Sequence, residues 1–238
     1  MSRLFGVIPA AGGGSRFGAG TPKQYATLAG APLLAKTLDR LQAGLPFELV
    51  VVAIARDDAH YEHVIGARQG VVAVRCGGLT RAATVKGALD ALADRCADDD
   101  WVLVHDAARP CVPKAALLRL VAQLWDDAVG GLPAIPLADT LKRADPMAGV
   151  DADVPRVLAT EDRSALWRAQ TPQMFRYRVL CQAFAGVDDA TVTDESQAVE
   201  RLGHRPRLVP GSPANLKVTW PDDLALAAAI LAAQEAED

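Results

Sequence analysis

The hydrophobic residues of this sequence fall in short continuous runs that are separated by segments of mixed polarity. The runs are Leu4–Ile8, Glu48–Ala55, Gly70–Arg75, Trp101–His105 and Gly131–Leu137. Runs of this length without alternation of polar and apolar residues are typical of parallel strands that are buried on both faces of a sheet. They therefore predict the strands of a central, mostly parallel sheet.

Segments with apolar residues at helical spacing lie between these runs. Three of them are Ala31–Gln42, Ala82–Arg95 and Lys114–Trp125. Strands that alternate with helices imply right-handed crossover connections. The predicted fold class is therefore α/β, with a Rossmann-like, doubly wound sheet. In such sheets ligands bind beyond the carboxyl ends of the strands.

The pattern breaks down between residues 138 and 160, where charges, prolines and a glycine are mixed. Two short β-like pieces, Thr140–Lys142 and Arg156–Leu158, lie in this segment. It is too long for a tight turn inside a compact domain, and it is either a flexible excursion or a β-hairpin arm. The rest of the chain predicts helices at Arg176–Gly186, Asp194–Leu202 and Pro221–Glu237 and short strands at Arg207–Val209 and Asn215–Val218.

Composition limits the class of protein. With 238 residues, half of them hydrophobic, the chain is expected to form a single domain with a sizeable core. A formal net charge of −4 argues against nucleic-acid binding, which needs a broad basic surface. The four cysteines have neither zinc-site nor disulfide-framework spacing, so reduced thiols in a cytoplasmic protein are expected. No apolar run reaches membrane-spanning length, and strand-like sequence from Leu4 leaves no room for a signal peptide.

A glycine-rich stretch, Pro9–Tyr25, joins the first strand to the first helix. Glycines let the backbone approach a ligand closely and leave N–H groups free to bind phosphate. Two standard motifs fail: the residues after Gly18 are not the Lys and Ser/Thr of a P-loop, and Phe17 stands at the third glycine of a dinucleotide-binding motif. Five glycines together with Arg16 and Lys23 nevertheless favour a nucleoside-triphosphate site over an ordinary turn.

Further polar residues follow predicted strands or precede predicted helices. Asp106 comes directly after a buried strand, so its carboxylate could coordinate Mg²⁺ with triphosphate oxygens or hold acceptor hydroxyls. Lys217 lies in a short apolar stretch and needs an anionic partner or an exposed tip. Two other candidates also have ordinary explanations, since Arg163 could form a surface salt bridge and Thr193 could cap the helix that begins at Asp194.

Together these motifs resemble a family of nucleotidyltransferases that activate small phosphorylated acceptors. The sequence Ala10-Ala11-Gly12-x-Gly14-x-Arg16, followed by Pro22-Lys23-Gln24-Tyr25, is similar to the opening motif of the cytidylyltransferases that act on methylerythritol 4-phosphate in isoprenoid synthesis. The resemblance runs from Ile8 to Pro221 and includes a His-Asp-Ala-Ala-Arg-Pro and a Thr-Pro-Gln motif. This chain has Thr84 where the family has serine, and Leu79 where an acidic or polar residue is frequent.

The resemblance implies a nucleotidyltransferase fold and a role for each candidate residue. The implied catalytic residues are Arg16, Lys23, Asp106 and Lys217, with Asp106 also a ligand of Mg²⁺. CTP would bind to Pro9, Ala10, Ala11, Gly12, Gly13, Gly78 and Thr84. A small phosphorylated polyol would contact Arg109, Thr140, Arg163, Thr171 and Thr193. The resemblance also implies a homodimer, in which the arm at residues 138–160 packs against the arm of a second subunit.

The residue types also limit the chemistry. There is no G-x-S-x-G motif, and His105 has no obvious nucleophile to activate. A phosphate monoester is already anionic near neutral pH, so the protein must mainly bring two polyanions together and stabilise charge on the α-phosphate and on pyrophosphate. We expect transfer of CMP from CTP. Two alternatives are a relative that activates ribitol 5-phosphate and a nucleotide-binding regulatory protein without turnover, although Arg16 and Lys23 argue against the latter.

Overall fold

The computed structural model describes residues 2–13, 17, 21–145, 154–185 and 191–237. Over these residues the chain forms seven α-helices: α1 (Leu33–Gly44), α2 (Tyr61–Val64), α3 (Arg81–Asp90), α4 (Lys114–Leu124), α5 (Tyr177–Ala185), α6 (Glu195–Arg201) and α7 (Asp223–Glu237). The twelve strands of the same ranges are β1 (Leu4–Pro9), β2 (Thr27–Leu28), β3 (Ala31–Pro32), β4 (Leu49–Ala53), β5 (Val71–Val74), β6 (Trp101–Val104), β7 (Gly130–Pro136), β8 (Lys142–Ala144), β9 (Val157–Thr160), β10 (Trp167–Ala169), β11 (Gln173–Arg176) and β12 (Arg207–Pro210).

Eight of the described strands form one sheet, in the order β10-β7-β11-β6-β1-β4-β5, with β12 paired to β7. The central strand β1 is parallel to both of its neighbours, so that Val7 lies opposite Val51 of β4 and Val104 of β6. Strands β10 and β11 run antiparallel to their neighbours. The predicted doubly wound, mostly parallel α/β sheet is confirmed.

The position of the ligand crevice follows from the strand order. From β1 the chain passes to β4 and β5 on one side and then crosses to β6 on the other side. The direction of winding therefore reverses between β1 and β6. At such a switch point the connections leave the sheet in opposite directions and open a crevice beyond the carboxyl ends of the two strands.

Both faces of the sheet are covered by helices. Ile8 of β1 lies in one apolar cluster with Leu38 of α1 and Leu117 of α4. Phe5 of β1 lies in a second cluster with Val85 of α3 and residues of α5. Because successive side chains of a strand point to opposite faces, and both faces are buried here, the strand sequences are apolar without alternation.

One predicted strand is wrong, and two strands of the sheet were not predicted. Residues 215–218 do not form a strand; the Val218 N–H donates to the carbonyl of Ala108, 2.8 Å away, so this segment lies against the loop after β6 instead of joining the sheet. The antiparallel strands β10 and β11 were not predicted, because both are short and of mixed polarity. Within β11, buried Gln173 stands at a position where an apolar residue would normally be expected.

A two-stranded antiparallel ribbon, β8 paired with β9, lies in the segment where an arm was considered. Lys142 is opposite Thr160 and Arg143 is opposite Ala159. Every residue of the two strands is exposed. Residues 146–153, between the strands, include part of the predicted arm and lie outside the described residues.

All four cysteines carry free thiols, as predicted. Burial raises the pKa of the Cys96 thiol to about 12 and that of the Cys111 thiol to about 11. These thiols therefore stay protonated and unreactive near neutral pH. Among the described helices, none combines the length and the apolar character that a membrane crossing requires.

Candidate active site

A cavity of about 400 Å³ lies at the carboxyl edge of the sheet, between the ends of β1 and β6. Three segments supply most of its wall: the loop after β1, the start of α3 and the loop after β6. The lining residues are Pro9, Ala10, Ala11, Gly12, Gly13, Lys23, Gln24, Gly78, Leu79, Thr80, Arg81, Thr84, Asp106, Ala107, Ala108 and Lys217. The cavity thus brings together ten of the residues that the sequence singled out.

The glycine pair before α3 lets this loop approach the loop after β1. A Cβ atom on Gly77 would lie 2.8 Å from the carbonyl oxygen of Ile54, and one on Gly78 would clash with Ala83. Neither clash can be relieved by rotating a flexible side chain, because the atoms that each added Cβ would meet are backbone or alanine Cβ atoms. The close contact leaves the backbone of Gly78 exposed at the cavity wall.

Two threonines fix the start of α3. Thr80 is the N-cap residue, and its hydroxyl accepts a hydrogen bond from the Ala83 N–H at 3.0 Å. The Thr84 hydroxyl donates to the Thr80 carbonyl and accepts from the Gly78 N–H. Thr84 therefore lines the cavity while its hydroxyl holds the glycine loop in place.

A 3-10 turn, Lys23–Tyr25, follows the glycine-rich residues after β1. The buried Gln24 amide donates to the carbonyl of Ala10 at 2.8 Å, and the Tyr25 hydroxyl donates to the Asp58 carboxylate at 2.7 Å. The Lys23 ammonium donates to the carbonyl of Val218 at 2.8 Å. These bonds place Lys23 at the cavity wall. Arg16, the other predicted cation of this stretch, lies outside the described residues.

A cluster of charged side chains lines another part of the cavity. The Asp106 carboxylate contacts Arg81 at 3.1 Å, Lys217 at 2.8 Å and Arg109 at 3.6 Å. The guanidinium of Arg81 also forms two hydrogen bonds, of 2.6 and 3.1 Å, to the carboxylate of Glu195. Glu195 lies at the first turn of α6 and is fully buried. Three cations and two carboxylates therefore form one connected network.

The network shifts the pKa values of its members. Burial alone would raise the pKa of Asp106, but the positive charges of Arg81 and Lys217 outweigh burial and hold that pKa well below its usual range. For Glu195 burial dominates and raises the pKa, although Arg81 opposes the shift. Burial also opposes the charge of Arg81, yet the two carboxylates raise the pKa of its guanidinium above its ordinary value.

A chain of hydrogen bonds holds the loop after β6. The Thr171 hydroxyl accepts from the Asp106 N–H at 3.0 Å and lies 3.1 Å from Nδ1 of His105. His105 Nε2 lies 3.0 Å from the carbonyl oxygen of Arg109, which can only accept, so Nε2 carries the proton and Nδ1 accepts from Thr171. Burial lowers the pKa of His105 to about 4, and the imidazole is neutral near neutral pH.

The predicted acceptor residues are not brought together within this chain. Thr171 is buried and bonded as described above, and Arg109 is partly buried with its Nη1 donating to the carbonyl of Asn215 at 2.7 Å. Thr140, Arg163 and Thr193 are exposed and do not line the cavity.

The prediction that Thr193 caps α6 is wrong by one residue. The N-cap is Asp194, whose carboxylate accepts from the Gln197 N–H. Thr193 instead donates from its own N–H to the side chain of Gln197 at 2.8 Å. Asp194 was taken as the first helical residue, but an aspartate before an acidic first turn is itself a strong capping residue.

Sequence reasoning missed Arg81 and Glu195. Arg81 is the first residue of α3, three positions after the candidate Gly78, and Glu195 follows the candidate Thr193 by two positions. Nothing in the sequence pairs two residues that are 114 positions apart. A glutamate in an otherwise apolar helix face was the available signal, since a buried carboxylate needs a cationic partner.

The donor set does not fit a resident metal ion. Both carboxylate oxygens of Asp106 already contact cations, and both oxygens of Glu195 are bonded to Arg81. Throughout the described ranges, no three His, Cys, Asp or Glu residues are grouped so that they could hold a metal. Magnesium usually binds proteins through one or two carboxylates and completes its shell with phosphate oxygens and water.

Comparison with known proteins adds an independent line of observation. The family model described as "IspD: 2-C-methyl-D-erythritol 4-phosphate cytidylyltransferase" matches residues 4–233. The 2-C-methyl-D-erythritol 4-phosphate cytidylyltransferase of Dechloromonas aromatica is 52% identical over 237 residues, which cover 99% of this chain and all of that protein.

Solved structures agree with the sequence match. A crystal structure of a 4-diphosphocytidyl-2C-methyl-D-erythritol synthase is 38% identical, with a TM-score of 0.83 over 97% of this chain and 99% of that one. The 2-C-methyl-D-erythritol 4-phosphate cytidylyltransferase of Francisella tularensis is 34% identical, with a TM-score of 0.78 over 96% of this chain and 100% of its own.

Proposed function

The chain belongs to the 2-C-methyl-D-erythritol 4-phosphate cytidylyltransferase (IspD) family, and from this premise we propose how its cavity carries out the reaction. The enzyme transfers CMP from CTP to 2-C-methyl-D-erythritol 4-phosphate, giving 4-diphosphocytidyl-2-C-methyl-D-erythritol and pyrophosphate, a step of isoprenoid biosynthesis. An oxygen of the acceptor phosphate forms a bond to the α-phosphorus, and the bond from the α-phosphorus to the β-phosphate oxygen breaks.

The observation that carries the proposal is the distribution of charge around the cavity. Among the described side chains of the wall and its network, Lys23, Arg81, Arg109 and Lys217 are positive and only Asp106 and Glu195 are negative. Four positive and two negative charges leave a net charge of +2 in a chain whose overall charge is −4. A local excess of cations in an acidic protein favours a polyanionic ligand.

CTP is proposed to bind along the loop after β1. Pro9, Ala10, Ala11, Gly12 and Gly13 would face the nucleotide, and the open space beside the last two glycines, where a Cβ would meet nothing within 4 Å, leaves room for phosphates. Gly78 and Thr84 would border the base and ribose. Exposed backbone N–H groups of such a loop are natural partners of phosphate oxygens.

Lys23 and Arg16 are proposed to stabilise the charge that develops on the α-phosphate and on the leaving pyrophosphate. A pre-positioned cation is worth most where charge increases in the transition state. Lys23 is suited to this role because the 3-10 turn and the hydrogen bond from its ammonium to the Val218 carbonyl fix the ammonium at the cavity wall before substrate arrives.

The acceptor phosphate is proposed to bind on the Lys217 side of the cavity. Lys217 is 46% exposed and already contacts Asp106, so its ammonium can meet a phosphate while one donor stays bonded to the carboxylate. No general base is required, because the attacking oxygen is already anionic near neutral pH. Asp106 would hold acceptor hydroxyls and the lysine together.

Mg²⁺ is proposed to enter as part of the CTP complex, with its shell completed by phosphate oxygens and water. Bound in this way it would reduce repulsion between the triphosphate and the incoming phosphate. Asp106 could become a ligand only by giving up a contact to Lys217 or Arg81. Measurement of Mg²⁺ binding with and without CTP would test this, and tight binding in the absence of CTP would contradict it.

A homodimer is proposed to complete the acceptor site. Val157 and Leu158 of the β8–β9 ribbon are 60% and 56% exposed, and an isolated two-stranded ribbon is marginally stable in water. Thr140 and Arg163 lie near this ribbon and away from the cavity of their own chain. We propose that they contact the acceptor bound by the second subunit. The reduced thiols and the nucleotide substrate are consistent with a cytoplasmic location.

The experiment that tests the function is release of pyrophosphate in the presence of CTP and Mg²⁺. Methylerythritol 4-phosphate and ribitol 5-phosphate should be compared as acceptors under the same conditions. Release with methylerythritol 4-phosphate and little with ribitol 5-phosphate is expected. Release only with ribitol 5-phosphate would overturn the proposed acceptor, and no release with either would indicate a binding protein.

A further inference from the structure

The carboxylate of Glu195 is fully buried behind the wall of the cavity. Both of its oxygens accept hydrogen bonds from Arg81, at 2.6 and 3.1 Å. Burying two charges is expensive, and an apolar pair of similar volume is often as stable or more stable. Stability alone therefore gives little reason for an ion pair at this position.

The pair has a direct connection to the cavity. The guanidinium of Arg81 uses one edge for Glu195 and its Nε for the Asp106 carboxylate, 3.1 Å away. The other oxygen of Asp106 contacts the Lys217 ammonium at 2.8 Å. A continuous line of charge-assisted contacts thus runs from α6, through α3 and the loop after β6, to the lysine at the cavity mouth.

The two ends of this line of contacts differ in freedom of movement, since it begins at Glu195 and ends at Lys217. Glu195 is fully buried, the side chains of Arg81 and Asp106 are 27% and 10% exposed, and that of Lys217 is 46% exposed. A guanidinium is planar and forms its bonds to carboxylates in a fixed geometry, so an arginine held by two bonds at one edge cannot rotate at the other. Asp106 is consequently fixed by Arg81, and it limits the positions that the flexible Lys217 can adopt.

We propose that Arg81 and Glu195 form a positioning pair for the transfer reaction. They hold the Asp106 carboxylate in one orientation and, through it, keep the Lys217 ammonium aimed at the acceptor phosphate. This inference rests on the proposed role of Lys217 in acceptor binding. Precise placement matters because a shift of about 1 Å in a reacting group or its partner can lower a rate about 100-fold.

The test separates positioning from stability with a double variant. Arg81→Met leaves the Glu195 carboxylate without its cationic partner, and Glu195→Leu removes one of the two carboxylates that bind Arg81. Each is expected to lower Tm by about 10 °C. The double variant R81M/E195L removes both charges and should recover most of that loss. If the pair positions Lys217, kcat of the double variant stays about 100-fold below wild type although the fold is restored.

The surface pair Arg75–Glu62 is the matched control. Its Nη2–Oε1 distance is 2.7 Å, and its side chains are 43% and 58% exposed, whereas Glu195 is fully buried. The double variant R75M/E62L should keep both Tm and kcat near wild type. Recovery of kcat together with Tm in R81M/E195L would overturn the proposal and leave the buried pair a purely structural role.

A second variant carries the test if the double variant does not fold. Glu195→Gln preserves volume and one acceptor oxygen but removes the charge. We expect its kcat to fall about 10-fold or more while KM for CTP changes less than about 2-fold, since Glu195 itself does not line the cavity. An unchanged kcat would overturn the proposal. Failure of the proposed function is distinguishable, because then the wild-type enzyme itself would not turn over methylerythritol 4-phosphate.

Discussion

Replacement of Asp106 by asparagine removes the negative charge that lies among three cations. The contacts at stake are those to Arg81 at 3.1 Å, to Lys217 at 2.8 Å and to Arg109 at 3.6 Å. Asparagine preserves the size of the side chain. Its neutral amide leaves Arg81 with Glu195 alone and leaves Arg109 with no carboxylate partner among the described residues. The folded state of D106N should therefore be less stable.

The size of the effect follows from the burial of the partners. Removing one member of a buried ion pair costs about 3–5 kcal/mol. Most of this arises at Arg81 and Arg109, whose side chains are 27% and 11% exposed. The pair with Lys217, which is 46% exposed, contributes about 1 kcal/mol or less after solvent screening. For a chain of this length about 2–4 °C of Tm is lost per kcal/mol, so Tm should fall by about 6–20 °C.

Thermal unfolding followed by circular dichroism at neutral pH measures this directly. Asp94→Asn is the control, because Asp94 is exposed and forms no ion pair with a described residue; its Tm should stay within about 2 °C of wild type. Both variants lose one negative charge, so a general change in net charge cancels. A D106N protein that unfolds with the control would refute the view that Asp106 holds the three cations together.

Three further predictions concern other parts of the molecule. Burial lowers the pKa of His105 to about 4, below the ordinary value of about 6.5. The folded state therefore favours the neutral imidazole. The stability that this preference contributes is complete above about pH 6.5 and is lost as pH falls toward 4. Urea unfolding should show a decrease of about 3 kcal/mol over that range that is absent in His105→Asn, and an identical pH slope in the two proteins would contradict the assignment. Tyr25→Phe should lower the unfolding free energy by about 2 kcal/mol, because it removes a hydrogen bond to the Asp58 carboxylate, 2.7 Å away. Tyr177→Phe removes a hydrogen bond to the neutral carbonyl of Leu89 and should lower it by about 1 kcal/mol. Equal losses in the two variants would count against the extra strength of a charged acceptor. If the chain forms the proposed homodimer, Val157→Asp combined with Leu158→Asp should convert it to monomer in sedimentation experiments. A dimer of the double variant that persists at low micromolar concentration would exclude the β8–β9 ribbon as the interface.

The sheet was predictable because its strands are buried on both faces. Leu4–Ile8 and Trp101–Val104 are apolar throughout, so their burial could be recognised from the sequence without knowledge of their neighbours. Short segments gave less information. The stretch at 215–218 has strand-like composition, yet its backbone lies against the Ala108 carbonyl, and composition does not encode which partner a short segment finds.

The cavity was predictable in part for a related reason. Lys23 and Asp106 stand directly beside conspicuous local motifs, and both line the cavity. The pairing of Arg81 with Glu195 depends on how α3 and α6 come together in three dimensions, which no local pattern records. Thr171 shows the converse case: its motif was recognised, but its hydroxyl is used inside the protein, between His105 and the backbone of Asp106.

The central claim is that the cavity at the ends of β1 and β6 transfers CMP to the acceptor phosphate with Lys23 stabilising the reacting α-phosphate. Phosphorus NMR of a mixture of enzyme, CTP, Mg²⁺ and methylerythritol 4-phosphate tests it most directly. Wild type and the control Lys86→Met, which changes an exposed lysine of α3, should convert CTP to a diphosphate diester and pyrophosphate. Lys23→Met should form both products at least about 100-fold more slowly while remaining folded. Formation of the diester by Lys23→Met at the wild-type rate would contradict the account.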